Sequence, residues 1–333
     1  MKNRTMGASS RHALWMSCLA ILVASQALGQ SAWRPDKAVE IIVPAAAGGP
    51  NDRAARLTQK ILQAEKLLPV PTVILNKPGG NQTVAVAYLI QKAGDAHHLL
   101  YTSSTVFTNE ITGLTKMHYK DITPVAMLFN EITVIAVRAD SPVKTMRDMS
   151  ERLKLDPESM VFGSVARGGP NHLALIHGLK VAGVDAHKLK IVIFNSNGDS
   201  MVALVGGHIH AVASAASSAL PQVQAGNARM IAIAAPQRMT GVLASVPTLR
   251  EQGLDSTGAP NWRGYFGARG LSAAQIDYWD EILAKTTGSD EWGKYLEANN
   301  LAGQYLRSRE FSKYLEGEYG AMRKMMTELG LAK

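Results

Sequence analysis

The chain has 333 residues, a formal net charge of +8, and 46% hydrophobic and 19% charged residues. That is enough apolar material for one or two sizeable cores. Lys and Arg are scattered, with no basic run interleaved with aromatics, so no nucleic-acid partner is expected. The one cysteine, Cys18, sits in an N-terminal apolar run, which leaves the remainder without disulfide or thiolate chemistry.

In chain order, the first segment carries Lys2, Arg4 and Arg11 and no acid, then a nearly continuous apolar stretch from Ala13 to Ala24, then Ala27-Leu28-Gly29. This pattern predicts a secretory signal peptide over residues 1–29. Its apolar core falls short of the ~20 residues of a membrane span. The mature protein is expected to be soluble and exported, and loss of the leader's three cations leaves a net charge of about +5.

Val39-Glu40-Ile41-Ile42-Val43 is short and β-branched, as a buried parallel strand should be. Gly48-Gly49-Pro50-Asn51 follows, and then Ala54, Leu57, Ile61 and Leu62 at helical spacing, with Asp52 in the first turn where a carboxylate suits the helix dipole. The same four residues return as Gly168-Gly169-Pro170-Asn171, after Met160-Val161-Phe162-Gly163 and before Leu173, Ile176, Leu179 and Lys180. A helix start presents unpaired N–H groups and partial positive charge, so two such starts suit a carboxylate or phosphate. Gly-Gly-Pro-Asn is also ordinary turn vocabulary, and a chance repeat is the alternative.

Between and beyond these units, Val73–Leu75, Leu99–Ser103 and Thr133–Val137 read as strands, and 84–91, 146–155, 273–285 and 309–329 as helices. The alternation predicts α/β architecture with mostly parallel sheet, arranged as two lobes around a central ligand cleft at the carboxyl ends of the strands. Crossovers are expected near Phe129–Thr133 and Ala234–Arg238. One lobe then comprises 30–131 with 239–333, and the other 132–238.

Catalytic signatures are missing: there is no Gly-x-Ser-x-Gly elbow, His-Glu-x-x-His or Walker loop, and the first glycine pair lacks the spaced third glycine of a dinucleotide fingerprint. No enzyme activity and no cofactor are expected. His208-Ile209-His210 places two imidazoles on one side of an expected strand, and His97-His98 forms another pair. Two-residue His spacing without a clustered Cys, Asp or Glu partner is a weak metal signal, so no metal is assigned. His172 follows the second Gly-Gly-Pro-Asn and is a candidate anion donor, the alternative being a simple helix start. Thr102-Ser103-Ser104-Thr105, Asn195-Ser196-Asn197-Gly198-Asp199 and Ser214 with Ser217 and Ser218 offer neutral donors at strand ends, or else plain turn chemistry. Arg167 is a candidate bidentate partner for a second carboxylate.

Several motifs resemble those of the periplasmic solute-binding receptors of tripartite tricarboxylate transport systems, also called Bordetella uptake gene receptors. They are Ile42-Val43-Pro44 with Gly48-Gly49 and Asp52; Asn76-Lys77-Pro78-Gly79-Gly80; Pro170-Asn171-His172-Leu173-Ala174; Leu204-Val205-Gly206-Gly207-His208; Leu220-Pro221 through Gln224-Ala225-Gly226; and Val246-Pro247-Thr248 with Glu251 and Gly253. The likeness runs over the whole mature chain from Trp33. It implies a type II periplasmic-binding-protein fold that closes on a small mono-, di- or tricarboxylate. It also implies delivery to the integral-membrane permease subunits of such a transporter, with a monomeric receptor as the default.

The resemblance places the carboxylate on backbone N–H groups and waters of the first two loops, at Ala46 to Asn51 (Ala46, Ala47, Gly48, Gly49 and Asn51 foremost) and at Gly79 to Thr83 (Gly80, Asn81, Gln82 and Thr83 foremost), to which the residue reading adds Ser103 and Ser104. The other wall would supply Ser164, Gly168, Gly169, Asn171, His172, Asn195, Ser196 and Asn197, to which the residue reading adds Arg167 and Ser214. Two departures stand out: Ala45 where the family often has an aromatic, and Pro78-Gly79-Gly80-Asn81-Gln82 where it usually has Pro-Gly-Ala-Gly-Gly. A sensor-kinase ectodomain is the alternative partner for the liganded receptor. A hydrolase pairing His172 with Ser164 is a third reading, which lacks an acid to orient the imidazole.

Overall fold

The computed structural model describes residues 33–299 and 301–333; the expected signal peptide lies outside the described residues. The short apolar runs become strands and the 3.6-period runs become helices, alternating along the first half: β1 Val39–Val43, α1 Pro50–Ala64, β2 Thr72–Asn76, α2 Thr83–Ile90, β3 His98–Ser103, α3 Thr105–Ile111 and β4 Thr123–Asn130. The chain continues with β5 Thr133–Arg138, α4 Met146–Leu155, β6 Val161–Val165, α5 Pro170–Val181, β7 Lys190–Phe194, α6 Asn197–Val205, β8 Ala211–Ala215, α7 Ala216–Gln224 and β9 Ala228–Ala234. It ends with β10 Trp262–Gly267, α8 Ala273–Thr287, α9 Asp290–Ala298, β11 Ala302–Arg307 and α10 Ser308–Glu328.

These strands form two sheets, one in the order β11-β4-β10-β3-β1-β2 and the other β7-β6-β8-β5-β9. Each sheet anchors one lobe. The first packs Trp262, Phe266, Phe107 and Phe311 into its core. The second is covered on one side by a cluster that includes Met201, Leu204, Leu220 and Ile233, and on the other by one that includes Met146, Met149, Phe162 and Leu179. Leu173 and Ile176 of α5 are buried in the first lobe's cluster, so the two lobes share an apolar seam.

The expectation of mostly parallel sheet is corrected. β1 pairs parallel with β2 and β3, and β6 with β7 and β8, but β10 is antiparallel to β3 and β4, β11 to β4, and β5 to both β8 and β9. The cause is the route of the chain. It leaves the first lobe along β4 into β5 and comes back along β9 toward β10, so outgoing and returning strands lie side by side and run opposite ways. At the passage between lobes the Glu131 N–H donates to the Asn261 carbonyl at 2.9 Å, tying the two crossings together.

The outward crossing runs from the end of β4 at Asn130 to the start of β5 at Thr133. The return runs further than Ala234–Arg238: Thr248 bridges to Ile233, the Leu249 N–H donates to the Ile233 carbonyl, and Leu249 and Leu254 sit in the second lobe's core. The strand re-entering the first sheet begins at Trp262. His208-Ile209-His210 is not a strand but a bend leading into β8. There His210 Nδ1 accepts the Val161 N–H at 2.9 Å, so a peptide donor rather than a metal takes that ring nitrogen.

Candidate functional site

The loops after β1, β3, β6, β7 and β8 all lie at carboxyl ends of strands, where open α/β sheets place ligands. Among them the two Gly-Gly-Pro-Asn turns share one backbone conformation. Gly48 has φ +83° and Gly168 φ +76°, a region that glycine enters at little cost. The next glycines cap their helices with φ −73°, ψ 170° at Gly49 and φ −72°, ψ 167° at Gly169, neither with a side-chain cap, and proline opens both helices. Proline at the first helical position removes an N–H that has no intrahelical partner. The uncapped N–H groups that follow remain for an anion.

Each turn is braced from below by the residue four positions after its first glycine. Asp52 Oδ2 accepts the Gly48 N–H at 2.8 Å and Arg56 Nε at 2.7 Å, and its Oδ1 accepts Asn76 Nδ2 at 2.9 Å. Burial works to raise this carboxyl's pKa, but the hydrogen bonds from Arg56, Gly48 and Asn76 outweigh it and hold the group below its ordinary value. In the second turn His172 Nδ1 accepts the Gly168 N–H at 3.2 Å. His172 is 3% exposed, and burial, aided by the charge of Arg167, lowers its pKa to about 4. It is therefore neutral at pH 7, with Nδ1 as acceptor and the proton on Nε2.

The second loop is left-handed over four successive residues: Gly79, Gly80, Asn81 and Gln82 have φ of 114°, 55°, 50° and 80°. Asn81 and Gln82 are there without the freedom of glycine, and their side chains hold the strained backbone. Asn81 Nδ2 donates to Asn109 Oδ1 and Asn109 Nδ2 returns to the Asn81 carbonyl, both at 2.6 Å. Gln82 Oε1 accepts Thr102 Oγ1 at 2.6 Å, and Gln82 Nε2 donates to Ser103 Oγ at 3.3 Å. Thr83 Oγ1 donates to the Gly80 carbonyl at 2.7 Å.

On the opposite wall Asn171 is the hub of a buried network. Its Oδ1 accepts Thr133 Oγ1 at 2.7 Å and Asn261 Nδ2 at 3.5 Å, while its Nδ2 donates to Asn197 Oδ1 at 2.9 Å, which also accepts Ser214 Oγ at 3.3 Å. A cavity of about 240 Å3 joins the lobes beside this network. The first turns of α1, α6 and α7 reach it through Asn51, Gly198 and Ser217, and Arg53 and the Glu131–Arg263 ion pair also line it. Three helix starts thus converge on one space, an arrangement suited to an anion. Tyr295 lines it too; burial, then the nearby Glu131 carboxylate, pushes its phenol up to about 12, so it stays a protonated donor.

Of the residues expected from sequence, Asn51 lines the cavity, and Asn171, Asn197 and Ser214 are joined in one network. The Gly48 and Gly168 N–H groups point back to Asp52 and His172 rather than outward, and the Asn81 and Gln82 side chains are spent on the loop. Ser104 Oγ donates to the Pro260 carbonyl at 2.6 Å, and Ser196 Oγ caps α6 by accepting the Asp199 N–H. Ser164 is fully buried, with no partner for its Oγ among the described residues. Gly169 is buried, whereas Ala46, Ala47, Gly80, Arg167 and Asn195 lie at the surface. Sequence reasoning missed Thr133, Asn261, Glu131 and Arg263, which no local pattern marks; Asp52 was visible as a first-turn carboxylate but not as a brace. His97 Nδ1 and Asp95 Oδ1 lie 2.6 Å apart. Among the described residues no group of three or more His, Cys, Asp or Glu is placed to hold a metal.

Residues 55–331 match the model of the tripartite tricarboxylate transporter family receptor. A UPF0065 protein of the gbd 5′ region of Cupriavidus necator is 25% identical over 94% of this chain and 93% of its own length. A TctC solute-binding protein from Polaromonas superposes with TM-score 0.71 at 25% identity, covering 88% of this chain and 99% of that one. MatC of Rhodopseudomonas palustris, solved with bound malate, gives 0.75 at 23% identity over 87% and 99%. The R. palustris protein Rpa4515, solved with adipate, gives 0.79 at 22% over 90% and 99%; both support the two-lobed fold. The chain belongs to the tripartite tricarboxylate transporter receptor family, a class of non-enzymatic periplasmic solute-binding proteins.

Proposed function

We propose that this receptor captures a small organic carboxylate in the cleft between its lobes and hands it to the permease subunits of a tripartite tricarboxylate transporter, after export directed by residues 1–29. The observation that carries the reading is the convergence of the α1, α6 and α7 starts on one cavity, with Asn51 from the first Gly-Gly-Pro-Asn turn and the Asn171–Asn197 pair from beside the second. Peptide dipoles and neutral donors, already positioned by Asp52, His172 and Asn171, bind a carboxylate without reorganising, and closure removes competing water. The buried Ser164 hydroxyl leaves a further donor on the second lobe. Malate in one fold neighbour and adipate in another agree with a solute of this class.

The test is a thermal-shift screen of the purified protein against aliphatic and aromatic mono-, di- and tricarboxylates. Stabilisation by RT ln(1 + [L]/Kd) gives about 2.7 kcal/mol at a hundredfold excess over Kd. A flat response to every organic acid refutes the proposal.

A further inference from the structure

The cavity holds one feature at odds with a simple anion site: an internal carboxylate. Glu131 is 8% exposed and forms part of the cavity wall. Its Oε2 accepts Arg263 Nη2 and its Oε1 accepts Ser217 Oγ at 3.2 Å. A carboxylate has about four acceptor positions, so two donors leave acceptor capacity open. Arg263, by contrast, is committed: Nη1 serves Asn261 Oδ1 at 2.7 Å and the Trp262 carbonyl at 3.1 Å, and Nη2 serves Glu131. The guanidinium pairs with Glu131 and is held by Asn261 and Trp262, while the carboxylate keeps acceptor positions toward the cavity. Such a wall repels a bare carboxylate oxygen and attracts an O–H or N–H, while the helix starts across the cavity attract the acid group.

We propose that Glu131 is a specificity-determining residue, receiving the hydroxyl or ammonium of a carboxylate substituted close to its acid group. Receptors with this wall discriminate against the plain chain acid, because leaving a buried acceptor opposite a methylene forfeits its hydrogen bond. This proposal rests on the carboxylate-receptor reading and names the substrate class within it.

Calorimetric titration with matched acids of three to five carbons, each plain, hydroxylated and aminated (for four carbons succinate, malate and aspartate), tests it in wild type and Glu131→Gln. The expected result is preference for the substituted acids on the order of tenfold, narrowing to about twofold in Glu131→Gln. The aminated acids should lose more than the hydroxylated ones if charge as well as hydrogen bonding is used. Equal affinity for plain and substituted acids in wild type, or a uniform loss across all acids in the variant, overturns the proposal while leaving the receptor reading intact. Absence of binding by every acid sinks the receptor reading instead. Should Glu131→Gln fail to fold, Ser217→Ala carries the test: it opens a further Glu131 acceptor position while keeping the ion pair, so the preference should widen, and an unchanged or narrower gap overturns the proposal.

Discussion

Asp52 and His172 do the same work in equivalent turns: each accepts the N–H of the glycine four residues before it, at 2.8 Å and 3.2 Å. One brace is an anion held charged and the other a ring held neutral. The pair therefore supports two similar helix starts, and proton binding weakens both braces, each in its own pH window.

The His172 brace predicts acid sensitivity. Its ring titrates near 6.5 when unfolded and at about 4 in place, so between those values the unfolded chain binds the extra proton. The contribution from this ring is whole above about pH 6.5, falls as pH drops toward 4, and is gone below, a swing on the order of 3 kcal/mol. Urea midpoints of wild type and His172→Gln across pH 4 to 7 check this. The variant's profile should be flatter, and parallel profiles would refute the role.

Asp52 acts in a separate window. Its lowered pKa means its contribution is present above the ordinary 3.8 and disappears only as pH falls through the lower folded value. At neutral pH, Asp52→Ala should cost about 2 kcal/mol through the lost bonds to Gly48 and Asn76. Arg56→Ala should cost clearly less, since that side chain is half exposed and its pair is screened. Equal costs in chemical denaturation would contradict this ranking.

The strained second loop predicts an order among substitutions at Asn81. Ala loses the Asn109 bond and keeps the left-handed penalty, whereas Gly loses only the bond. Asn81→Ala should therefore be about 1 kcal/mol less stable than Asn81→Gly. Thermal melts of the two variants decide it, and the reverse order would show that the backbone is unstrained.

Asn171→Ala should lower stability by about 2 kcal/mol and weaken solute binding, because Thr133, Asn197 and Asn261 each lose a buried partner. Asn195→Ala, at the surface, should change neither by more than about 0.5 kcal/mol. Calorimetry on both variants provides the comparison, and matching losses would remove Asn171 from its place as hub.

Much of this protein was legible locally. A positive φ that favours glycine, a proline at the first helical position and apolar residues at helical spacing are all near-neighbour constraints. They determined the two strand-turn-helix units and the helix over Met146–Leu155. The braces were half legible: Asp52 stood out as a first-turn acid, while His172 read as an anion donor and gave no sign that its Nδ1 accepts the Gly168 N–H. Tertiary structure decided the rest. The sheets are mixed because outgoing and returning strands lie side by side, which depends on the path of the whole chain rather than on any window of it. Glu131 meets Arg263, and Thr133 meets Asn261, only because the two crossings between lobes are adjacent in space. A pairing across more than a hundred residues leaves no periodicity behind, since its partners are chosen by packing and by the need of buried polar groups for one another.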